Sequence, residues 1–222
     1  MTRRIDPGLI PPSPNLEFEE ALWTAGLPAI AGVDEAGRGC LAGPVAAAAV
    51  ILPDDRRISK KLSAIRDSKQ LTAEDRETTR QEIEKACLTW AVGFADNEEI
   101  DLLGIVPATR LAMWRALDQL HPIPDHVLVD YLVLPDLPFP QTRLVKGDAR
   151  SLSIAAASIL AKTYRDIFMI AQAVIYPNYG FEQNKGYGTA LHRDALQTLG
   201  PCPLHRMTFA PMREMEKVSS DK

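Results

Sequence analysis

The sequence has little of what would place it in a secreted, membrane or disordered class. Cysteine is scarce: Cys40, Cys87 and Cys202 are odd in number, far apart and contain no C-x-x-C pair. That pattern supports neither a disulfide framework nor a zinc knuckle and fits a reducing cytoplasm, where the chain is expected. Met1 to Pro7 lacks the apolar core of a signal peptide. The most apolar stretches are cut by Pro44 and Pro53, or by Lys162, Arg165 and Asp166, so none is long enough to span a bilayer. Internal repeats, low-complexity tracts and long runs of one charge are also missing, which argues against disorder as the main state. What remains is an ordinary folded composition. With 222 residues, 46% of them hydrophobic, the chain suits one domain with at most a small appendage.

A net charge of −4 hides an asymmetry. Residues 1–140 hold 14 Lys and Arg against 22 Asp and Glu, whereas residues 141–222 hold 11 against 7. A basic C-terminal part suits a polyanion, and an acid-rich N-terminal part suits metal cations.

Pro7, Pro11, Pro12 and Pro14 make the start an irregular lead. Asn15 is placed to cap a helix from Leu16 to Ala25, which Gly26 ends. Residues 29–36 and 45–52 read as two strands about a Gly/Pro-rich turn, Gly37 to Pro44. Thr72 with Asp75 resembles a capping box ahead of a charged helix, Ala73 to Cys87. Leu88 to Ala95 alternates as a strand, and Pro107 to Leu120 has helical spacing. His126 to Tyr131 and Thr142 to Val145 read as short strands. Ser151 to Tyr176 is the strongest helix, stopped by Pro177; a loop, Asn178 to Gly188, and a helix, Thr189 to Leu199, follow. A hairpin followed by mixed strands and helices predicts an α/β domain with a mixed sheet, not a doubly wound one.

The chemical signal is the placement of four acids. Asp34 and Glu35 lie inside an otherwise apolar strand, where a bare charge costs several kcal/mol. Adjacent strand residues point to opposite faces, so both reach one ion only if the strand twists or a backbone carbonyl joins in. Asp130 ends a second apolar strand, and Asp148 follows a third. Carboxylates gathered at neighbouring strand ends call for a cation, and oxygen-only ligands favour Mg²⁺ or Mn²⁺ over Zn²⁺. Two such ions about 4 Å apart clamp the attacking and leaving oxygens of phosphodiester hydrolysis. A turn or cap role is the competing reading for Asp130 or Asp148 taken singly.

Gly37-Arg38-Gly39-Cys40-Leu41-Ala42-Gly43 could imitate a dinucleotide-binding turn. That motif needs a helix at its glycines, and here Gly43-Pro44 leads into a β-like run instead. The alternatives are a tight hairpin or a turn that brings backbone close to a ligand, with Arg38 offering charge to phosphate.

Ala31 to Gly39, Leu41 to Val45, Asp67 to Thr72, Lys146 to Ala149, Ser153 to Ile159 with Ala161-Lys162, Tyr176-Pro177, Tyr179 to Phe181, Lys185 to Thr189, His192 and His205-Arg206 occur in this order. Together they resemble bacterial ribonuclease HII from about residue 16 to about residue 211. The resemblance implies a ribonuclease H-like fold, a mixed five-stranded sheet flanked by helices, with a small helical C-terminal part. It divides the chain into a lead with a short helix, 1–28, a catalytic domain, 29–200, and a C-terminal extension, 201–222. It implies an endonuclease that cuts the RNA strand of RNA–DNA hybrids and cuts 5′ of single ribonucleotides in duplex DNA, leaving 3′-hydroxyl and 5′-phosphate ends. Carried over by position, Asp34, Glu35, Asp130 and Asp148 are the catalytic metal ligands for Mg²⁺ or Mn²⁺. Gly37, Arg38 and Gly39 match the sensor of the ribonucleotide 2′-hydroxyl, and Tyr187 matches the tyrosine that packs on the sugar at the RNA–DNA junction. Lys69, Lys146, Lys162 and Lys185 are further phosphate contacts. A cytoplasmic monomer without a membrane partner is expected.

Two positions depart from the family pattern: Cys40 stands where proline is usual, and Tyr131 where glycine is usual. Ribonuclease HIII carries an extra N-terminal domain and lacks the arginine of the Gly-x-Gly turn, so Arg38 and the short lead favour HII. The other readings are an NADP-dependent oxidoreductase, a non-catalytic nucleic-acid-binding module, and a nuclease of the same fold acting on DNA junctions.

Overall fold

The computed structural model describes residues 6–65 and 72–215. Helix α1 (Glu17–Thr24) leads into strands β1 (Ile30–Ala36) and β2 (Val45–Ile51). Next come α2 (Ile58–Lys61), α3 (Ala73–Ala86), β3 (Thr89–Ala95), α4 (Asn97–Leu103) and α5 (Ile105–Leu117). Strands β4 (His126–Asp130) and β5 (Gln141–Leu144) precede the long helix α6 (Leu152–Ile175) and the shorter α7 (Phe181–Asn184) and α8 (Ala190–Leu199).

The five strands form one sheet in the order β3-β2-β1-β4-β5, antiparallel from β3 to β1 and parallel from β1 to β5. This is the mixed sheet the sequence predicts. Every residue of β2 is buried, which explains why it reads as a continuous apolar run: Ala48 and Val50 face one layer, and Val45, Ala47, Ala49 and Ile51 the other. Helices α1, α3 and α6 make the first layer, and α4 and α5 the second. Alanines in β2 keep both layers close. Glycines bring both layers closest: a Cβ at Gly32 in β1 would lie 2.2 Å from the Ser153 carbonyl carbon of α6, and one at Gly93 in β3 2.2 Å from the Ala112 carbonyl oxygen of α5. No helix of the described residues is long and apolar enough to cross a membrane.

Most boundaries fall within a residue or two of those expected. Asn15 sits just outside α1 and binds the Glu17 amide through its side chain, so Leu16 occupies the cap position. Helix α4 was not anticipated, although Asp96 and Glu99 form a reciprocal capping box at its start. Helix α5 begins at Ile105, not Pro107, because Gly104 with φ +83° separates it from α4. The expected loop before α8 contains α7.

The lead is tied to the domain by one buried carboxylate. Glu19 is fully buried, and its Oε1 accepts hydrogen bonds from the Ser151 hydroxyl (2.6 Å), the Ser153 hydroxyl (2.6 Å) and the Ser153 amide (2.9 Å). Ser151 in turn caps α6 by accepting from the Ile154 amide. A carboxylate at this N-terminus also suits the helix dipole. Glu19→Leu would strand two buried hydroxyls and one amide, and it is expected to lower the unfolding free energy by about 3 kcal/mol in urea titration. Glu19→Gln is expected to retain part of that loss.

Candidate active site

Two neighbouring parallel strands bring the first acids together. The register pairs Val33 with Val129, so Asp34 and Asp130 come next along adjacent strands. Asp34 shares the face of Ile30 and Gly32, turned towards α6, and is only 6% exposed. Burial pushes its carboxyl well above the usual carboxylate range, and the charges of Glu35 and Asp130 push the same way. Hydrogen bonds from the Ser158 hydroxyl and the Glu35 backbone partly oppose this. Glu35 points to the other face and binds Arg38 Nη1 at 3.1 Å. Asp130 Oδ1 accepts from the Gly147 amide at 2.7 Å, which draws the turn carrying the half-buried Asp148 to the same strand end.

These side chains do not form a closed coordination sphere. Among the described residues, no three Asp, Glu, His or Cys side chains group closely enough to hold an ion. The donor chemistry nevertheless fits a hard divalent cation: the donors are carboxylates, and burial with the charges of Glu35 and Asp130 raises the Asp34 pKa, a cost that a bound cation would offset.

The glycine turn is held from beneath by two fully buried arginines. Arg206 donates from Nη2 to the Gly37 carbonyl (2.7 Å), from Nη1 to that of Arg38 (2.9 Å) and from Nε to that of Gly43 (3.0 Å). Arg165 donates from Nε to the Pro44 carbonyl (2.8 Å), from Nη2 to that of Ala42 (3.1 Å) and from Nη1 to that of Lys185 (2.9 Å). Gly37 is required here: its φ is +92°, and a Cβ would lie 1.9 Å from Arg165 Nε. Because a trans peptide sets C=O and N–H on opposite sides, the Gly37 and Arg38 carbonyls aimed at Arg206 send the Arg38 and Gly39 N–H groups the other way. Gly39 is exposed, and a Cβ there would meet nothing within 4 Å. The turn therefore offers backbone donors towards open space.

Tyr187 stands beside this turn. The Leu41 amide binds the neighbouring Gly186 carbonyl at 2.8 Å, and the Tyr187 phenol and the buried Cys40 thiol lie close enough to influence one another's pKa. Cys40, at the position where the family pattern has proline, thus lies near the Tyr187 hydroxyl. The ring is 39% exposed, with Lys162 Nζ 5.4 Å and Arg165 Cζ 5.8 Å from its centroid. Lys162 also binds Asp166 at 2.7 Å. Lys185 is half-buried, donates to the Glu182 carbonyl and has its ammonium pKa lowered by burial. Lys146 is exposed at the turn that carries Asp148. Lys69 lies outside the described residues.

Tyr131, the other departure, adopts φ +57°, a conformation that glycine takes without cost. Its amide binds the Leu144 carbonyl, and Arg143 lies 5.8 Å from its ring, so the end of β4 keeps its place with tyrosine there. Sequence reasoning missed Ser158, Arg165 and Arg206 as parts of the site. A signal for Arg165 was available, since a charge on the otherwise uncharged stripe Ser158, Ala161, Arg165 and Met169 of α6 demands a buried partner.

A family model described as Ribonuclease HII matches residues 31–212. The chain is 50% identical over 202 residues to Ribonuclease HII of Dehalococcoides mccartyi, covering 91% of this chain and 95% of that protein. It is 52% identical over 205 residues to Ribonuclease HII of Roseiflexus castenholzii, covering 91% of each. Among solved structures, that of ribonuclease H2 from Pyrococcus horikoshii OT3 matches with a TM-score of 0.71 at 25% identity, over 87% of this chain and 99% of that one. With the mixed sheet, the acids at its strand ends and the clamped glycine turn, these matches show that the chain belongs to the ribonuclease HII family of ribonuclease H endoribonucleases.

Proposed function

We propose that this chain cuts the RNA strand of RNA–DNA hybrids and cuts 5′ of single ribonucleotides in duplex DNA, leaving 3′-hydroxyl and 5′-phosphate ends. The observation that carries this reading is the buried, charge-strained Asp34 lying beside a turn whose backbone donors face open space. Asp34, Glu35, Asp130 and Asp148 would hold Mg²⁺ or Mn²⁺. Such ions, when bound, stabilise charge on the attacking and leaving oxygens of a phosphodiester.

The chain's own groups supply recognition. A 2′-hydroxyl is the donor and acceptor that distinguishes the target sugar from deoxyribose. The outward N–H groups of Arg38 and Gly39 suit its oxygen, and the Arg38 guanidinium suits a flanking phosphate. Tyr187 presents a ring face to the neighbouring deoxyribose, where an added hydroxyl would crowd it. Lys162, beside that ring, and the exposed Lys146 suit backbone phosphates, which bring affinity and little selectivity. The division 29–200 for catalysis and 201–222 as an extension belongs to the same reading.

The deciding assay incubates the protein with duplex DNA holding one ribonucleotide, with Mg²⁺, with Mn²⁺ and with chelator, and maps the cut. Cleavage 5′ of the ribonucleotide in metal alone is expected, and no cleavage in either metal would refute the reading.

Folded Asp34 holds a proton more tightly than the unfolded chain does, so its ionisation costs stability as pH rises above the ordinary carboxylate range. Asp34→Asn is therefore expected to abolish cleavage while raising metal-free stability at pH 7, read as a higher urea midpoint than the wild type shows. Asp148 sits on a polar turn, not in a strand, so Asp148→Asn should lose less activity than Asp34→Asn and recover best in Mn²⁺. Equal losses in both metals would make Asp148 an ordinary ligand. Lys162→Ala should weaken binding to hybrid and plain DNA alike and lower the salt slope by about one in filter-binding titrations.

A further inference from the structure

Two histidines that the proposed chemistry does not use are buried behind Tyr187. His192 is fully buried and His205 is 1% exposed. Their Nε2 atoms lie 3.0 Å apart, His192 Nδ1 lies 2.9 Å from the Tyr187 carbonyl oxygen, and the Cys202 amide donates to His205 Nδ1 at 2.9 Å.

Only one arrangement of protons satisfies this chain. His205 Nδ1 accepts from the Cys202 N–H, so the proton of the neutral ring sits on Nε2 and is donated to His192 Nε2. The His192 proton is then left on Nδ1, aimed at the Tyr187 carbonyl. The reverse polarity could use the Cys202 carbonyl, 3.1 Å from His205 Nδ1, but it would set a bare ring nitrogen against the Tyr187 carbonyl. A proton added to His192 Nε2 would set two N–H donors together across 3.0 Å, and one added to His205 Nδ1 would set a second donor against the Cys202 amide across 2.9 Å.

The surroundings keep both rings neutral. Burial is the main cause that pushes His205 down to about 4 and also lowers His192. Arg193 on α8 adds repulsion to a charge on His192, and His192 repels a charge on His205. Tyr179, before α7, and Phe181, on α7, pack their rings against both imidazoles, and the Tyr179 hydroxyl is engaged at the Gly200 carbonyl. The Asn97 amide of α4 binds the His205 carbonyl, and the Cys202 thiol has its pKa raised by burial.

The same short segment touches both parts of the candidate site. His205 bridges to Ala42, the Arg206 amide binds the Leu41 carbonyl, and the Arg206 side chain holds the Gly37 and Arg38 carbonyls. The histidine pair extends that segment to Tyr187.

We propose that His192 and His205 are positioning residues: through a one-way hydrogen-bond chain from the Cys202 amide to the Tyr187 carbonyl, they fix Tyr187 relative to the glycine turn and so set selectivity for isolated ribonucleotides. The proposal rests on the reading of Tyr187 as the junction sensor given above. It makes Tyr187 a residue held at its carbonyl by His192, with the Cys40 thiol near its hydroxyl.

The test compares kcat/KM on a duplex with one ribonucleotide and on a continuous RNA–DNA hybrid. His192→Phe keeps an aromatic ring against Phe181 and removes both hydrogen bonds. It is expected to lose about tenfold or more on the single ribonucleotide and about twofold or less on the hybrid, since small misplacements cost large factors only where geometry is critical. His192→Asn, which keeps an N–H in reach of the Tyr187 carbonyl, should recover most of the loss, a rescue that a merely space-filling role would not give. Imidazole nitrogen NMR of the wild type needs no variant and should show His192 protonated on Nδ1 and His205 on Nε2 at pH 7. Tyr187→Ala is the control for the underlying reading: if it leaves single-ribonucleotide cleavage unchanged, the junction sensor is wrong and the proposal falls with it. If Tyr187→Ala does lose that cleavage, two results would overturn the positioning role alone: a folded His192→Phe variant with wild-type selectivity, or the opposite tautomers in the NMR spectrum.

Discussion

Two guanidinium groups without access to water hold the turn on which the candidate site depends. A buried arginine is tolerated only where its donors are engaged, and Arg165 and Arg206 each donate to three main-chain carbonyls. Each guanidinium spans three of them, so the loop from Gly37 to Pro44 and the strand of chain at Lys185 have little freedom to separate. Carbonyl direction then settles amide direction, because the peptide unit is planar. The outward-facing donors at Arg38 and Gly39 are thus a consequence of charges placed on the far side of the turn. Gly37 completes the arrangement by lacking the Cβ that would collide with Arg165.

Buried and half-buried ionisable groups join segments that are distant in sequence. Glu19 fastens the lead to the start of α6, and Asp101 accepts from the Met207 and Thr208 amides, fastening α4 to the chain after Arg206. Asp34 differs from these. Burial opposes its charge, and the neighbouring acids Glu35 and Asp130 oppose it further. A buried carboxyl pushed upward by burial and by two like charges at a strand end is a mark of function.

Much of the framework was legible in the order of residues. Seven buried residues in β2 come from a continuous apolar run, and the long helix follows from alanine and leucine between Ser151 and Pro177. Asp34 and Glu35 were legible as well, since charge inside an apolar strand is costly whatever the fold. Helix α4 had its capping box in plain view, but seven residues hold too little periodicity to be recognised. Tyr131 and Cys40 could be seen as departures, yet their accommodation depends on Leu144, Arg143 and Tyr187, which are remote in sequence.

Local pattern therefore determined the strands, the helices and the presence of acids at strand ends, because periodicity, capping and the cost of a lone charge act over a few residues. Motif order determined the family, because short signals in a fixed succession are improbable together. Only the tertiary structure decided which charges are matched and which are not. Arg165 and Arg206 are 41 positions apart and meet on one turn, and His192 and His205 meet through a single pair of nitrogen atoms. Hydrogen-bond partnership of a buried side chain is set by distance and direction in space, and no one-dimensional spacing records either.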